Sequence, residues 1–179
     1  MKTLRAVVSL LPVTAIAAFA GDSWKETLKK ELPLLGHRNW IVIADSAYPL
    51  QTAPGIETIC ADEDPLTVVK TVLAELAKTK HVQPEIYTDA ELKFVAEGNA
   101  RGIGVYREEL AKILGTRDRC VLPHEQIIGK LDEAGKTFKV LIIKTPLTLP
   151  YTSVFLQLQC GYWNAASEAQ LRKAMKAGK

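Results

Sequence analysis

The chain has 179 residues, of which 47% are hydrophobic and 24% charged, and its formal net charge is +3. That balance suits one globular domain with a real core and excludes disordered and fibrous classes. No basic cluster interleaved with aromatics stands out, which argues against nucleic acid as a partner.

The first twenty residues read as a secretory signal peptide. Lys2 and Arg5 precede an apolar run containing Pro12, and Ala18-Phe19-Ala20 forms a cleavage signal ahead of Gly21. The run from Ala6 to Ala20 is shorter than the ~20 apolar residues a spanning helix needs. Residues 21–179 are therefore expected as the mature domain, secreted or periplasmic, with no membrane segment after cleavage. Of the 23 basic residues, Lys2 and Arg5 leave with the leader, so 21 remain against 20 acidic ones, and the mature domain is nearly neutral.

Ser23 with Glu26 is a capping box, and Trp24, Leu28 and Leu32 supply one apolar face, predicting a short helix before Pro33. "WIVIA", residues 40–44, is apolar on both faces, as expected of a buried strand in a sheet covered on both sides. Asp45 falls at its carboxyl end, the edge where open α/β sheets bind ligands. "IETICA", residues 56–61, reads as a second strand. Asp64 then caps a helix with Pro65 at its first position, and Leu66, Val69, Leu73 and Leu76 line one face.

Thr88 with Glu91 offers another capping box after "PEIY". "GNARGIG" has neither dinucleotide-fingerprint nor P-loop spacing and reads as a turn or helix break, after which "REELAKILG" resumes a helix. Residues 123–134 predict a helix with His124 in its first turn, stopped at Gly135. "TFKVLIIK" and "SVFLQLQC" follow as strands, and Ser167 with Gln170 caps a basic C-terminal helix. Strands alternating with helices, without repeat or linker, predict a single α/β domain with a mostly parallel sheet flanked by helices.

Cys60, Cys120 and Cys160 allow at most one internal disulfide and lack zinc-site spacing; as isolated thiols they equally suit small core positions. No nucleophile elbow, H-E-x-x-H helix, C-x-x-C pair or Walker loop is present. What remains is a set of polar residues at element ends: His37, Asp45, His124, Tyr151 and Ser153. Each alone has an ordinary reading as a loop, turn-capping or core-edge residue. Imidazole and carboxylate in His37, Asp45 and His124 also suit zinc or iron, although their spacing matches no recurring metal motif.

"LGHRNWIVIADSAYP", residues 35–49, resembles the start of the D-ribose pyranase and L-fucose mutarotase family: a Gly-His, a short apolar strand, and an aspartate before a turn with proline. "HEQ" at 124–126 looks like the family's second-histidine segment, and "PYTSVFLQLQCG" like its closing Pro-Tyr block. Ser153 stands where the family often has asparagine, and Ile128 where it has a lysine. The resemblance implies a pyranase- or mutarotase-like α/β fold and an isomerase that opens and recloses the ring of a free monosaccharide, with no metal or organic cofactor. It implies His37 as proton donor, with Asp45, His124, Tyr151, Thr152 and Ser153 as sugar-binding residues, in a ring-shaped homo-oligomer. The alternative is a non-catalytic sugar-binding or structural protein of the same fold. Imidazole gives and takes protons at neutral pH, which suits His37. A helix N-terminus disfavours positive charge, which suits His124 to a neutral hydrogen-bonding role. At ~3.3 Å per residue, the eight-residue step from His37 to Asp45 can exceed roughly 20 Å. For both to touch one sugar, the loop must fold back or a second subunit must contribute.

Overall fold

The computed structural model describes residues 23–178, so the proposed leader, residues 1–20, lies outside the described residues. Helix α1 (Trp24–Glu31) starts at the expected capping box, with Ser23 and Glu26 bonded reciprocally. Strand β1 (Trp40–Ala44) is buried along its whole length. β2 (Ile56–Cys60) and α2 (Pro65–Ala77) follow, with Asp64 accepting from the Thr67 N–H. β3 (Val82–Asp89) runs into a 3₁₀ turn (Ala90–Phe94), and α3 (Ile103–Leu114) starts after Gly102, whose φ of 95° needs a glycine. β4 (Arg119–Leu122), α4 (His124–Gly135), β5 (Val140–Lys144), β6 (Val154–Cys160) and α5 (Ala165–Ala177) complete the chain.

The six strands form one sheet in the order β2-β5-β1-β6-β3-β4. Five run parallel, and β6 alone runs antiparallel to both its neighbours, β1 and β3. The reason lies in the connection. A parallel return needs a crossover of about a dozen residues or more, usually helical. Residues 145–153 are too few, so the chain re-enters the sheet from the edge it left.

Alternation along β1 divides the core. Ile41 and Ile43 pack in the cluster that contains Val68, Val69, Val72 and Leu76 of α2 and Tyr106 and Leu110 of α3. Trp40, Val42 and Ala44 pack with Ile127 and Leu131 of α4 on the opposite face. α2 buries a wider arc than expected: Val68 and Val72 are fully covered, whereas Leu66 is only partly so. Toward β4 the α4 face becomes polar, and the Tyr87 hydroxyl bonds Glu85 and Gln157 there.

Four local expectations change. β4 was not foreseen. Thr88–Glu91 is no capping box, because the 3₁₀ turn has no side-chain cap and Glu91 bonds elsewhere. α5 is capped by Asn164, which accepts from the Ser167 N–H, so the helix starts earlier than Ser167 implied. The three cysteines are free, and Cys60 is exposed rather than in the core.

Backbone meets backbone where the loop before β2 crosses the end of α4: the Gly55 N–H donates to the Gly135 carbonyl at 2.9 Å. A Cβ at Gly55 would lie 2.2 Å from the Phe138 carbonyl oxygen. Gly55→Ala is therefore expected to cost about 1–3 kcal/mol, the usual range for overpacking, as a lowered midpoint in urea denaturation.

Candidate functional site

Strand register gathers the polar residues. β6 begins at Val154, which pairs with Ile43 of β1 on one side and Thr88 of β3 on the other. Ser153 therefore lies level with Ala44 and Asp89, at the carboxyl edge of the parallel strands. β4 ends there too, with Leu122 opposite Asp89, and two residues later His124 opens α4.

Asp89 is only 2% exposed, as enclosed as Ser153 and unusually so for a carboxylate. Its Oδ1 lies 3.1 Å from His124 Nδ1, while Oδ2 is buried without a hydrogen-bond partner. Burial pushes the carboxyl up to about 6; His124 pulls against that shift, and the nearby Glu91 and Asp45 add to it. Glu91 accepts the His124 backbone N–H through both carboxylate oxygens, at 3.1 and 3.0 Å. Two acidic side chains thus stand at the start of α4 and oppose the positive end of its dipole. The expectation of a helix terminus hostile to a charged His124 took no account of them.

Tyr151 meets the His124 ring edge to face, with centroids 5.6 Å apart and planes at 81°. Its backbone has φ 57°, in the left-handed region that non-glycine residues seldom occupy, and its side chain stays 39% exposed. Thr152 is turned inward: its hydroxyl donates to the Leu149 carbonyl at 2.8 Å, and its own carbonyl accepts from the Tyr106 hydroxyl at 2.6 Å. Its polar groups hold the turn. Ser153 is buried, and its hydroxyl makes no hydrogen bond among the described residues. Asp45 accepts the Ala47 N–H at 2.8 Å, which closes the turn after β1.

His37 stands apart from this group. It precedes β1 and is exposed at the amino edge, where the Arg38 N–H bonds the Leu158 carbonyl. It lines a groove of ≈750 Å³ with Tyr162, Trp163 and Leu171. β1 crosses the whole sheet between His37 and Asp45, so the loop does not fold back and one chain cannot put both on one sugar. The same separation removes the metal set of His37, Asp45 and His124 within a single chain, and no group of three His, Cys, Asp or Glu among the described residues could hold a metal ion. Ile128 packs against the core beneath α4, and Lys130 approaches the Tyr87 ring at 6.0 Å.

Sequence reasoning missed Asp89, Glu91 and Tyr106. Asp89 had one readable signal: like Asp45, it closes a strand-like run, here "EIYTD". Glu91 and Tyr106 act through contacts that span 33 and 46 residues of chain, which no local pattern announces.

No family model and no curated protein sequence matches this chain. Solved structures do. Bacillus subtilis RbsD complexed with D-ribose superposes with a TM-score of 0.54 at 21% identity, covering 77% of this chain and 93% of that one. The fucose mutarotase of Streptococcus pneumoniae in complex with L-fucose gives 0.47 at 20% identity, over 73% and 89%. FucU from Bifidobacterium longum gives 0.49 at 17%, over 73% and 91%. The RbsD match shows that the two chains share a fold.

The Asp89 shift has a thermodynamic consequence. A carboxyl whose folded pKa is raised from 3.8 to about 6 stabilises the fold fully below its unfolded pKa, and that contribution is lost as pH rises through about 6. At 1.36 kcal/mol per unit, the loss is about 2–3 kcal/mol. Urea denaturation at pH 4 and pH 7 should show Asp89→Asn gaining that much on the wild type between the two pH values.

Proposed function

We propose that the protein is a cofactor-independent monosaccharide mutarotase or pyranase whose site is shared between two copies of the chain. The observation that carries this is the split of the polar groups. Asp45, Asp89, His124, Tyr151 and Ser153 collect at the carboxyl edge, while His37 stands exposed at the amino edge. A second copy presenting its His37 edge to this carboxyl edge completes the set, and repetition of that head-to-tail contact closes a ring. The shared fold with RbsD complexed with D-ribose, and the three sequence blocks that resemble the pyranase and mutarotase family, support a free monosaccharide as the ligand.

The chemistry asked of such a site is modest. The anomeric hydroxyl gives up its proton as C1=O forms and the C1–ring-oxygen bond breaks, and the ring oxygen takes a proton. Rotation about C1–C2 and the reverse transfers give the other anomer; where the ring size changes, a different hydroxyl attacks C1 and gives up its proton as C1=O regains one, and the former ring oxygen stays protonated. His37 is the proton donor. Asp45 and the Ser153 hydroxyl bind sugar hydroxyls, Tyr151 offers its hydroxyl and ring face, and Thr152 shapes the turn that presents them. The leader directs this activity to the periplasm or exterior.

A second reading, sugar binding without catalysis, draws support from Ser153, which is short and buried, and from Ile128, which has no polar group. NMR exchange between anomeric signals, screened across ribose, fucose and related sugars, separates the two. Acceleration over buffer is expected for at least one sugar. Binding by calorimetry with exchange unchanged selects the second reading, and neither effect from folded protein sinks both. His37→Ala should lower exchange by roughly 10²–10⁴-fold with an unchanged far-UV spectrum. Mixing it with an inactive His124→Ala variant, followed by subunit exchange, should restore part of the rate, as only a shared site allows.

A further inference from the structure

We propose that Asp89 is a positioning residue: buried behind His124, it holds the imidazole in the Nδ1–H tautomer, so that Nε2 faces the ligand as a proton acceptor. This rests on the mutarotase reading for its chemistry and on geometry for its structure.

An ionised carboxylate only accepts, so the ring nitrogen that faces Asp89 Oδ1 at 3.1 Å carries the proton. Asp89 has no other donor, since Oδ2 is buried without a partner. The reverse tautomer would set a nitrogen lone pair against a buried anion with nothing else to satisfy it, a costly arrangement away from water. The ring is held on further sides by the Tyr151 face and, through its own backbone N–H, by Glu91. Nε2 is left without a hydrogen bond among the described residues, on a side chain 28% exposed.

That arrangement converts His124 from a hydrogen-bonding contact into a base. Nε2 takes the anomeric hydroxyl proton as C1=O forms and the ring C1–O bond breaks, and the imidazolium that results is stabilised by Asp89. The ring oxygen receives its proton from His37 of the second copy, and reclosure returns both protons. The other ionisable groups around Asp89 are Asp45 and Tyr48 after β1, Glu91 on the 3₁₀ turn and Tyr106 on α3, and Lys93, Arg107, Arg117, Asp118 and Arg119 line a cleft with it. None of them hydrogen-bonds the carboxyl, so among the described residues His124 is its one donor.

The test is ¹⁵N NMR of the His124 ring in the full mature chain at pH 8, with and without Asp89→Asn. The wild-type ring is expected as the Nδ1–H tautomer, and the variant as a mixture. A wild-type Nε2–H ring, or variant shifts identical to wild type, overturns the proposal. On the sugar that the wild type turns over fastest, Asp89→Asn should lower kcat by roughly 10²–10⁴-fold, the range that a general base contributes and that the wrong tautomer forfeits, with KM little changed. An unchanged kcat overturns it as well. If the wild type turns over no sugar, the functional reading fails on its own, and the tautomer measurement still decides the role of Asp89.

Discussion

The placement of β6 is the constraint on which the rest depends. Residues 145–153 are too few to carry the chain back across the sheet, so β6 enters from the carboxyl edge and fills the gap between β1 and β3 with both ladders reversed. Without it the sheet would be two parallel pieces sharing no hydrogen bonds. With it, the turn that feeds β6 lies between the ends of β1 and β3. Tyr151, Thr152 and Ser153 therefore reach Asp45 and Asp89 by topology, not through any local sequence preference. The Tyr106 hydroxyl fastens this turn from below through the Thr152 carbonyl, which ties α3 to the same edge.

Electrostatics at this edge are arranged against stability. A carboxyl buried to 2% exposure, with another acid on each side and one hydrogen bond, would be replaced by an apolar residue if folding were the only demand. Perturbed carboxyls of this kind gather at functional sites because a proton held near neutrality is useful there. The left-handed backbone of Tyr151, whose ring meets the same imidazole, is a second departure from relaxed geometry at this edge. The other non-glycine residue in that backbone region is Arg38, φ 74°, beside His37 at the opposite edge, and the helices are conventionally capped by Ser23, Asp64 and Asn164.

What was legible in the sequence was whatever depends on neighbours along the chain. The capping box at Ser23, the Asp64-Pro65 helix start and the doubly buried "WIVIA" strand each follow from a few adjacent residues, and each stands where it was expected. Alternating strands and helices predicted a mostly parallel sheet, and the one antiparallel strand, β6, was present only as a short loop length before it. β4 escaped because "RCVL" is short and half exposed at the sheet margin, where little apolar patterning is required. Of the candidate site, Asp45, His124 and Tyr151 stood out by position at element ends. The Asp89–His124 contact joins residues 35 positions apart and depends on β3 and β4 pairing in one register, which periodicity does not encode. The distance from His37 to Asp45 was readable as strand rise, and the sheet turns that length into a separation of opposite edges.

The reversed last strand also decides where the polypeptide finishes. β6 delivers the chain to the amino edge, and α5 begins there beside His37 with none of its thirteen residues buried. Its internal bonds are its own: Asn164 caps it, and Glu168 gathers Trp163 and Arg172. The core therefore exerts almost no hold on the described residues beyond Gly161, and substitutions there cost the fold little. This loosely held helix lies beside the edge that carries His37, so what happens there is felt by the histidine before it is felt by the sheet.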